Sequence, residues 1–288
     1  MGIEMEAGKP GWCDALNGLP GLFGSSLSET YELLRLLDCL LENLTPLSPS
    51  PARREEGEEG VALPIELAGL LREVVTQLTA YQRAFDTGRD HRYWDAVATA
   101  RETYRERVRL GFDGRTETID FTDLAPILQA FRDKVAAGIA RAEALAGGVP
   151  PTYFTHEARE YEVIAGAAGE PLHDGQGRPF VRVTRFELQT LPPFLEGPVH
   201  AMMAYRADLE RTRAIYEQVK AGPLFDAELG MYKTNAPLAD CSPEIGRLRA
   251  FTPGWLENES VFLHMAYKYL LATLRAGLRD EFFTDIRR

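Results

Sequence analysis

Two short stretches carry side chains whose types and spacing suit chemistry on a polar, ring-shaped substrate. The first is residues 8–24, where Trp12, Asp14 and Asn17 sit on a frame of five glycines and two prolines. That content excludes a regular helix or strand, so the stretch is a loop. Trp12 offers a flat apolar face and one N–H, Asp14 a carboxyl group, and Asn17 an amide that both donates and accepts. The second stretch is residues 250–260, with Trp255 held on a Pro-Gly turn and followed by Glu257, Asn258 and Glu259. Aromatic faces stack on sugar rings, amides read hydroxyls, and paired carboxyl groups supply general acid and base. Each residue also has a plainer role open to it. Asp14 can cap a turn, Asn258 or Ser260 can cap the next helix, and Glu257 and Glu259 can complement its dipole.

Both loops run directly into helices that must hold them. Ser26 and Glu29 have capping-box spacing, and Leu33, Leu34, Leu36, Leu37, Leu40, Leu41 and Leu44 are apolar on more than one face, which reads as a buried helix. The run from Val261 to Leu274 has the same character and reads as an inner helix. Between them, residues 45–60 are rich in Pro, Ser and charge and read as an exposed loop. Helical periodicity then recurs from Pro64 to Phe85, from Asp90 to Val108, and from Asp120 or Thr122 to Leu145. Arg101, Arg105, Arg107 and Arg109 interleave with Glu102 and Glu106 as a solvated face. The pattern changes between Pro150 and Pro193, where Tyr153 to Ile164 and Phe180 to Leu188 alternate around a glycine-rich turn. This predicts a β-hairpin long enough to cover a neighbouring cleft, with His156 and His173 as structural or solvated side chains. A further helix is expected from Pro198 to Gly222. Glu196 stands just before it, either favouring its dipole or touching substrate.

The fold expected is all-α with a small β-hairpin insert, about seven helices in a bundle or helical barrel. Residues 1–149 hold the acid loop and first helical hairpins, 150–195 the insert, and 196–288 the remaining helices of the same domain.

The run Trp12-Cys13-Asp14-Ala15-Leu16-Asn17-Gly18, with a glycine-rich turn and Ser28-Glu29 after it, resembles the Trp-Asn-Asp signature of cellobiose phosphorylase-like glycoside phosphorylases. Cys13 stands where that family usually has Asn. The resemblance implies part of an (α/α)6 barrel, its C-terminal portion, and gives Asp14 the role of general acid in an inverting reaction on β-linked gluco-oligosaccharides. It implies no cofactor, with inorganic phosphate as a possible co-substrate. Residues 254–260 lie where the family carries a turn that helps hold phosphate. Two carboxylates there repel phosphate unless Arg247, Arg249 or Lys233 offsets them. The same carboxylates suit hydrolysis, in which Glu257 or Glu259 activates water. Trp12, Asn17, Trp255, Asn258 and Arg247 are then the substrate-binding side chains. The missing half of such a barrel would come from preceding sequence or from a second copy of the chain. The alternative is a non-catalytic carbohydrate-binding or assembly module, and a weaker one is a helical interaction domain.

Across 288 residues, 45% hydrophobic, there is material for a sizeable core. A net charge of −11 spread along the chain disfavours nucleic acid and anionic membrane surfaces as partners. The first residues lack a signal peptide's basic and apolar regions, and no run has the length of a membrane span. Three scattered cysteines without metal-ligand spacing suit reduced thiols, so a cytoplasmic protein is expected.

Overall fold

The structure is a computed structural model that describes residues 2–7, 11–44 and 60–287. Residues 45–59, nearly all of the expected polar loop, lie outside the described residues, as do residues 8–10 of the first loop. In chain order the elements begin with β1 (Ile3–Glu4), β2 (Ser25–Ser26), α1 (Leu27–Leu44), β3 (Gly60–Pro64), α2 (Ile65–Arg83), α3 (Arg89–Val108), β4 (Thr116–Asp120) and α4 (Phe121–Ala146). They continue with β5 (Tyr153–Val163), β6 (Val181–Thr190), α5 (Glu196–Ala204), α6 (Leu209–Ala221), β7 (Phe225–Asp226), β8 (Met231–Tyr232), α7 (Leu263–Arg275) and α8 (Arg279–Ile286).

One four-stranded antiparallel sheet, β1-β2-β5-β6, and two two-stranded sheets, β3-β4 and β7-β8, make the fold mixed α/β. This corrects the expectation of an all-α, partial (α/α)6 barrel. The physical reason is strand length. β1, β2, β7 and β8 have two residues each, too few for a period of two to register, and β3 lies between Gly60, which reads as the end of a loop, and Pro64, which reads as the start of a helix. β2 pairs with the base of the β5–β6 hairpin: Ser25 lies opposite Phe154 and Ser26 opposite Tyr153.

The chain divides into two compact units, Met1–Arg35 with Val135–Arg288, and Leu36–Lys134. In the first, the apolar faces of α5, α6 and α7 pack with the start of α1 and the end of α4 around Tyr31, Phe154, Leu195, Met202, Val219 and Tyr269. Tyr153, Phe154 and Thr155 are consecutive and all buried, so both faces of β5 are covered at its base. Farther out the hairpin is exposed. Register shifts on either side of Glu160 bring Tyr161 opposite Val183, and Val163 lies opposite Val181.

Several helix details differ from the periodic reading. Ser26 pairs in the sheet rather than capping α1, whose first N–H, that of Leu27, donates to the Thr152 carbonyl at 2.8 Å. Leu36 and Leu40 of α1 are exposed, as are Leu263, Tyr267 and Leu271 of α7, so neither helix is buried all round. The helix expected from Pro198 to Gly222 is two, because Asp208 starts α6 afresh by accepting from the Arg211 N–H at 3.0 Å.

In the second unit β3 runs antiparallel to β4, and α2 packs against α3. Arg72 of α2 grips the Glu117 carboxylate with two nitrogens, at 2.6 and 3.0 Å, and Glu66 accepts from the Asp113 N–H at 3.1 Å. No residue of α3 is fully buried, consistent with the charge of its outer face.

Candidate functional site

Both chemistry-bearing loops belong to the first unit, and they share a small core. Cys13, Ala15, Leu16 and Leu19 pack with Leu238, Ile245 and Leu248 over Tyr153 and Phe194. The Leu248 N–H donates to the Ala15 carbonyl at 3.0 Å, and the Gly18 N–H to the Ile245 carbonyl at 3.1 Å. Asn17 adds a side-chain tie, its Oδ1 accepting from the Arg247 N–H at 3.1 Å. The approach is close enough to require glycine. A Cβ on Gly18 would stand 1.8 Å from the Glu244 carbonyl oxygen, and Gly246, at φ +130°, would bring one to 2.6 Å from that of Ala15. This seam leaves Asp14 outside, its carboxylate 3.3 Å from the Arg247 guanidinium and its side chain 60% exposed.

The second loop is fixed by buried amides. Asn258 is 4% exposed; its Nδ2 donates to the Phe251 carbonyl at 2.8 Å and its Oδ1 accepts from Asn235 at 3.0 Å. Asn235 Oδ1 in turn accepts from the Glu259 N–H at 2.9 Å, and the Thr234 hydroxyl donates to the Glu257 carbonyl. Leu256 and Glu259 are held at φ 49° and 51°, a left-handed conformation that costs a non-glycine residue about 1 kcal/mol or more. The frame holds that strain while presenting Trp255, 57% exposed, edge-on to Phe251 with ring centroids 5.3 Å apart. Asn258 is thereby a frame residue rather than a substrate contact, since both ends of its amide are used. Neither it nor Ser260 caps α7; the Ser260 hydroxyl donates to the Leu256 carbonyl.

Trp12 joins the first loop to the start of α7. Its ring meets Phe262 edge-on at 5.6 Å, and its Nε1–H donates to His264 Nδ1 at 3.0 Å. Cys13 is buried, and burial, reinforced by the nearby Glu257 carboxylate, pushes its thiol up to about 12. It is an inert thiol. The three candidate catalytic carboxylates differ in their company. Asp14 faces Arg247, Glu259 lies 3.6 Å from Lys233 with both side chains largely shielded, and the Glu257 carboxylate has no hydrogen-bonding or ion-pair partner among the described residues.

Behind this surface lies a pair that sequence reasoning passed over. Tyr153 donates from its hydroxyl to Glu196 Oε2 at 2.6 Å, and Glu196 is only 5% exposed. Burial pushes the Glu196 carboxyl above its ordinary range. The Tyr153 hydrogen bond opposes this, the Glu29 carboxylate adds to it, and His200 and Lys268 oppose it. Glu29 Oε2 is buried there without a hydrogen-bond partner. The sequence signal was Glu196 itself, which a helix dipole explained equally well. His264 gave no signal.

The fold thus gathers Asp14, Asn17 and Arg247, ties Trp12 to the start of α7, and sets Trp255, Glu257, Asn258 and Glu259 on the second loop. Among the described residues no cluster of three or more His, Cys, Asp or Glu side chains could hold a metal ion, and no helix is long and apolar enough to cross a membrane. The sequence matches no family model, and a search of curated proteins returns no match either.

Proposed function

We propose that this is a cytoplasmic carbohydrate-active protein that cleaves β-linked gluco-oligosaccharides with inversion, Asp14 protonating the leaving oxygen. Trp12 and Trp255 stack on sugar rings, and Asn17 and Arg247 line the approach. The observation that carries the reading is the seam between the first loop and residues 244–248, which leaves Asp14 exposed with its carboxylate 3.3 Å from the Arg247 guanidinium. Glu257 is favoured over Glu259 as the base because Glu259 already faces Lys233.

The same pairing favours water over phosphate as nucleophile. Arg247 and Lys233, two of the cations able to offset phosphate charge, each face a carboxylate. Arg249 donates to the Ala239 carbonyl. A second reading, binding without turnover, draws on the exposure of Asp14, since an acid open to water gains little from its surroundings.

Cellotetraose turnover, followed by NMR of the product anomers, separates these readings. Asp14→Asn should lower turnover by about 10² to 10⁴ while sparing binding. Undiminished turnover in that variant would remove Asp14 from the role. Sugar 1-phosphate appearing on addition of phosphate would replace hydrolysis with phosphorolysis. Binding without turnover at high protein concentration would establish the binding module.

A further inference from the structure

We infer that His264 is a positioning residue for Trp12, and that it holds the indole only while its own ring is neutral. This rests on the reading of Trp12 as a sugar platform and adds to it a residue and a pH dependence. An indole N–H can only donate, so the Trp12 Nε1–H···Nδ1 contact of 3.0 Å requires His264 Nδ1 to be the acceptor. The neutral ring therefore carries its proton on Nε2. A second proton on His264 goes to Nδ1, the one free lone pair, and sets two donors against each other. Trp12 then keeps only its edge contact with Phe262 and its packing in the core.

The arrangement also determines what Trp12 offers a ligand. Its one hydrogen-bond donor is occupied, so it recognises the apolar face of a sugar and no hydroxyl. The donor available beside it is His264 Nε2–H, on an exposed side chain at the start of α7.

Other charged groups stand on the elements around α7. They include Lys268 and Arg275 on α7 itself, Asp14 on the first loop, Glu257 and Glu259 on the second, and Glu196 and the ionisable His200 on α5, with the neutral Cys13 thiol also on the first loop. On α8, Glu281 and Asp285 are engaged by Arg213 and Lys220. Glu196 and His200 are ionisable side chains as well, so a pH profile alone does not isolate His264. His264→Asn does, because its side-chain oxygen keeps an acceptor near the Nδ1 position and does not titrate.

The test follows the three indole N–H signals of the whole protein by NMR from pH 8 to 5, with Trp12→Phe assigning the Trp12 signal. The result expected is a Trp12 signal that shifts with pH in the wild type and stays fixed in His264→Asn. A signal that is fixed in both, or moves equally in both, overturns the inference. Cellotetraose affinity is measured alongside. It should fall about fivefold in His264→Ala, the worth of one hydrogen bond, and vary less with pH in His264→Asn than in the wild type. Affinity equal to wild type in His264→Ala, with the same pH profile, also overturns the positioning role. If cellotetraose binds at no pH while the Trp12 signal behaves as expected, the carbohydrate reading fails and the His264 inference stands.

Discussion

Glu196 is the side chain through which one ionisation reaches the stability of the whole fold. Burial holds its carboxyl above the ordinary range, so the folded protein keeps a proton that the unfolded chain gives up at about pH 4.3. Between that value and the raised one, the native state binds more protons than the unfolded state, and stability falls as pH rises. Below the window both states are protonated and this contribution is fully present. Glu196→Gln keeps an oxygen to accept the Tyr153 hydroxyl and abolishes the proton exchange. The melting temperature of the variant should therefore decline less than that of wild type as pH rises from 4 to 7; parallel curves would show that another group governs the slope. At this scale the sequence was partly legible. The types of Trp12, Asp14, Asn17 and Glu257 suggested a chemistry, but the partners that surround them could not be read from the sequence. Asn258 shows why: an amide beside two carboxylates reads as a ligand contact until Asn235 and the Phe251 carbonyl are found to consume it.

At the scale of elements, long periodic helices were visible and their anchoring was not. α8 is tied down by Asp285, whose side chain is 2% exposed and accepts from Lys220, Tyr216 and Tyr232. None of those partners is near it in sequence. Asp285→Ala strips a largely buried charge of its counterpart and should cost about 3 kcal/mol in urea unfolding, with faster amide exchange along α8. The hairpin gives the contrast. Arg185 and Glu160 form a pair across β5 and β6 with side chains 56% and 61% exposed. Arg185→Ala should change stability by no more than about 0.5 kcal/mol, because solvent already screens the pair. A loss as large as that of Asp285→Ala would mean that the outer hairpin is covered. The hairpin was readable because its strands are long enough for alternation to register. β2 exists only because β5 offers it an edge, and β1 only because β2 does, which is tertiary information.

At the scale of the molecule, the candidate site is built from segments more than 200 positions apart, which is why the sequence suggested that its two loops share a cleft but not the contacts by which they would do so. What joins them is the lack of a side chain. Gly18 sits in an ordinary right-handed conformation, φ −86°, so its need for glycine comes from the backbone it meets rather than from its own dihedrals. A methyl group there would overlap the Glu244 carbonyl and force one segment off the other. The core of Leu16, Leu19, Ile245 and Leu248 would open, and Asp14 would part from Arg247. Gly18→Ala should therefore cost about 3 kcal/mol or more of stability and remove cellotetraose binding together with any turnover. Gly21, three residues on in the same glycine-rich loop, is the internal control, since a Cβ there meets nothing within 4 Å. Gly21→Ala should be neutral or slightly stabilising through the unfolded chain, by at most about 1 kcal/mol. Comparable losses in both variants would mean that the loop needs flexibility in general. A loss confined to Gly18→Ala would tie the site to this one close approach between the two ends of the first unit.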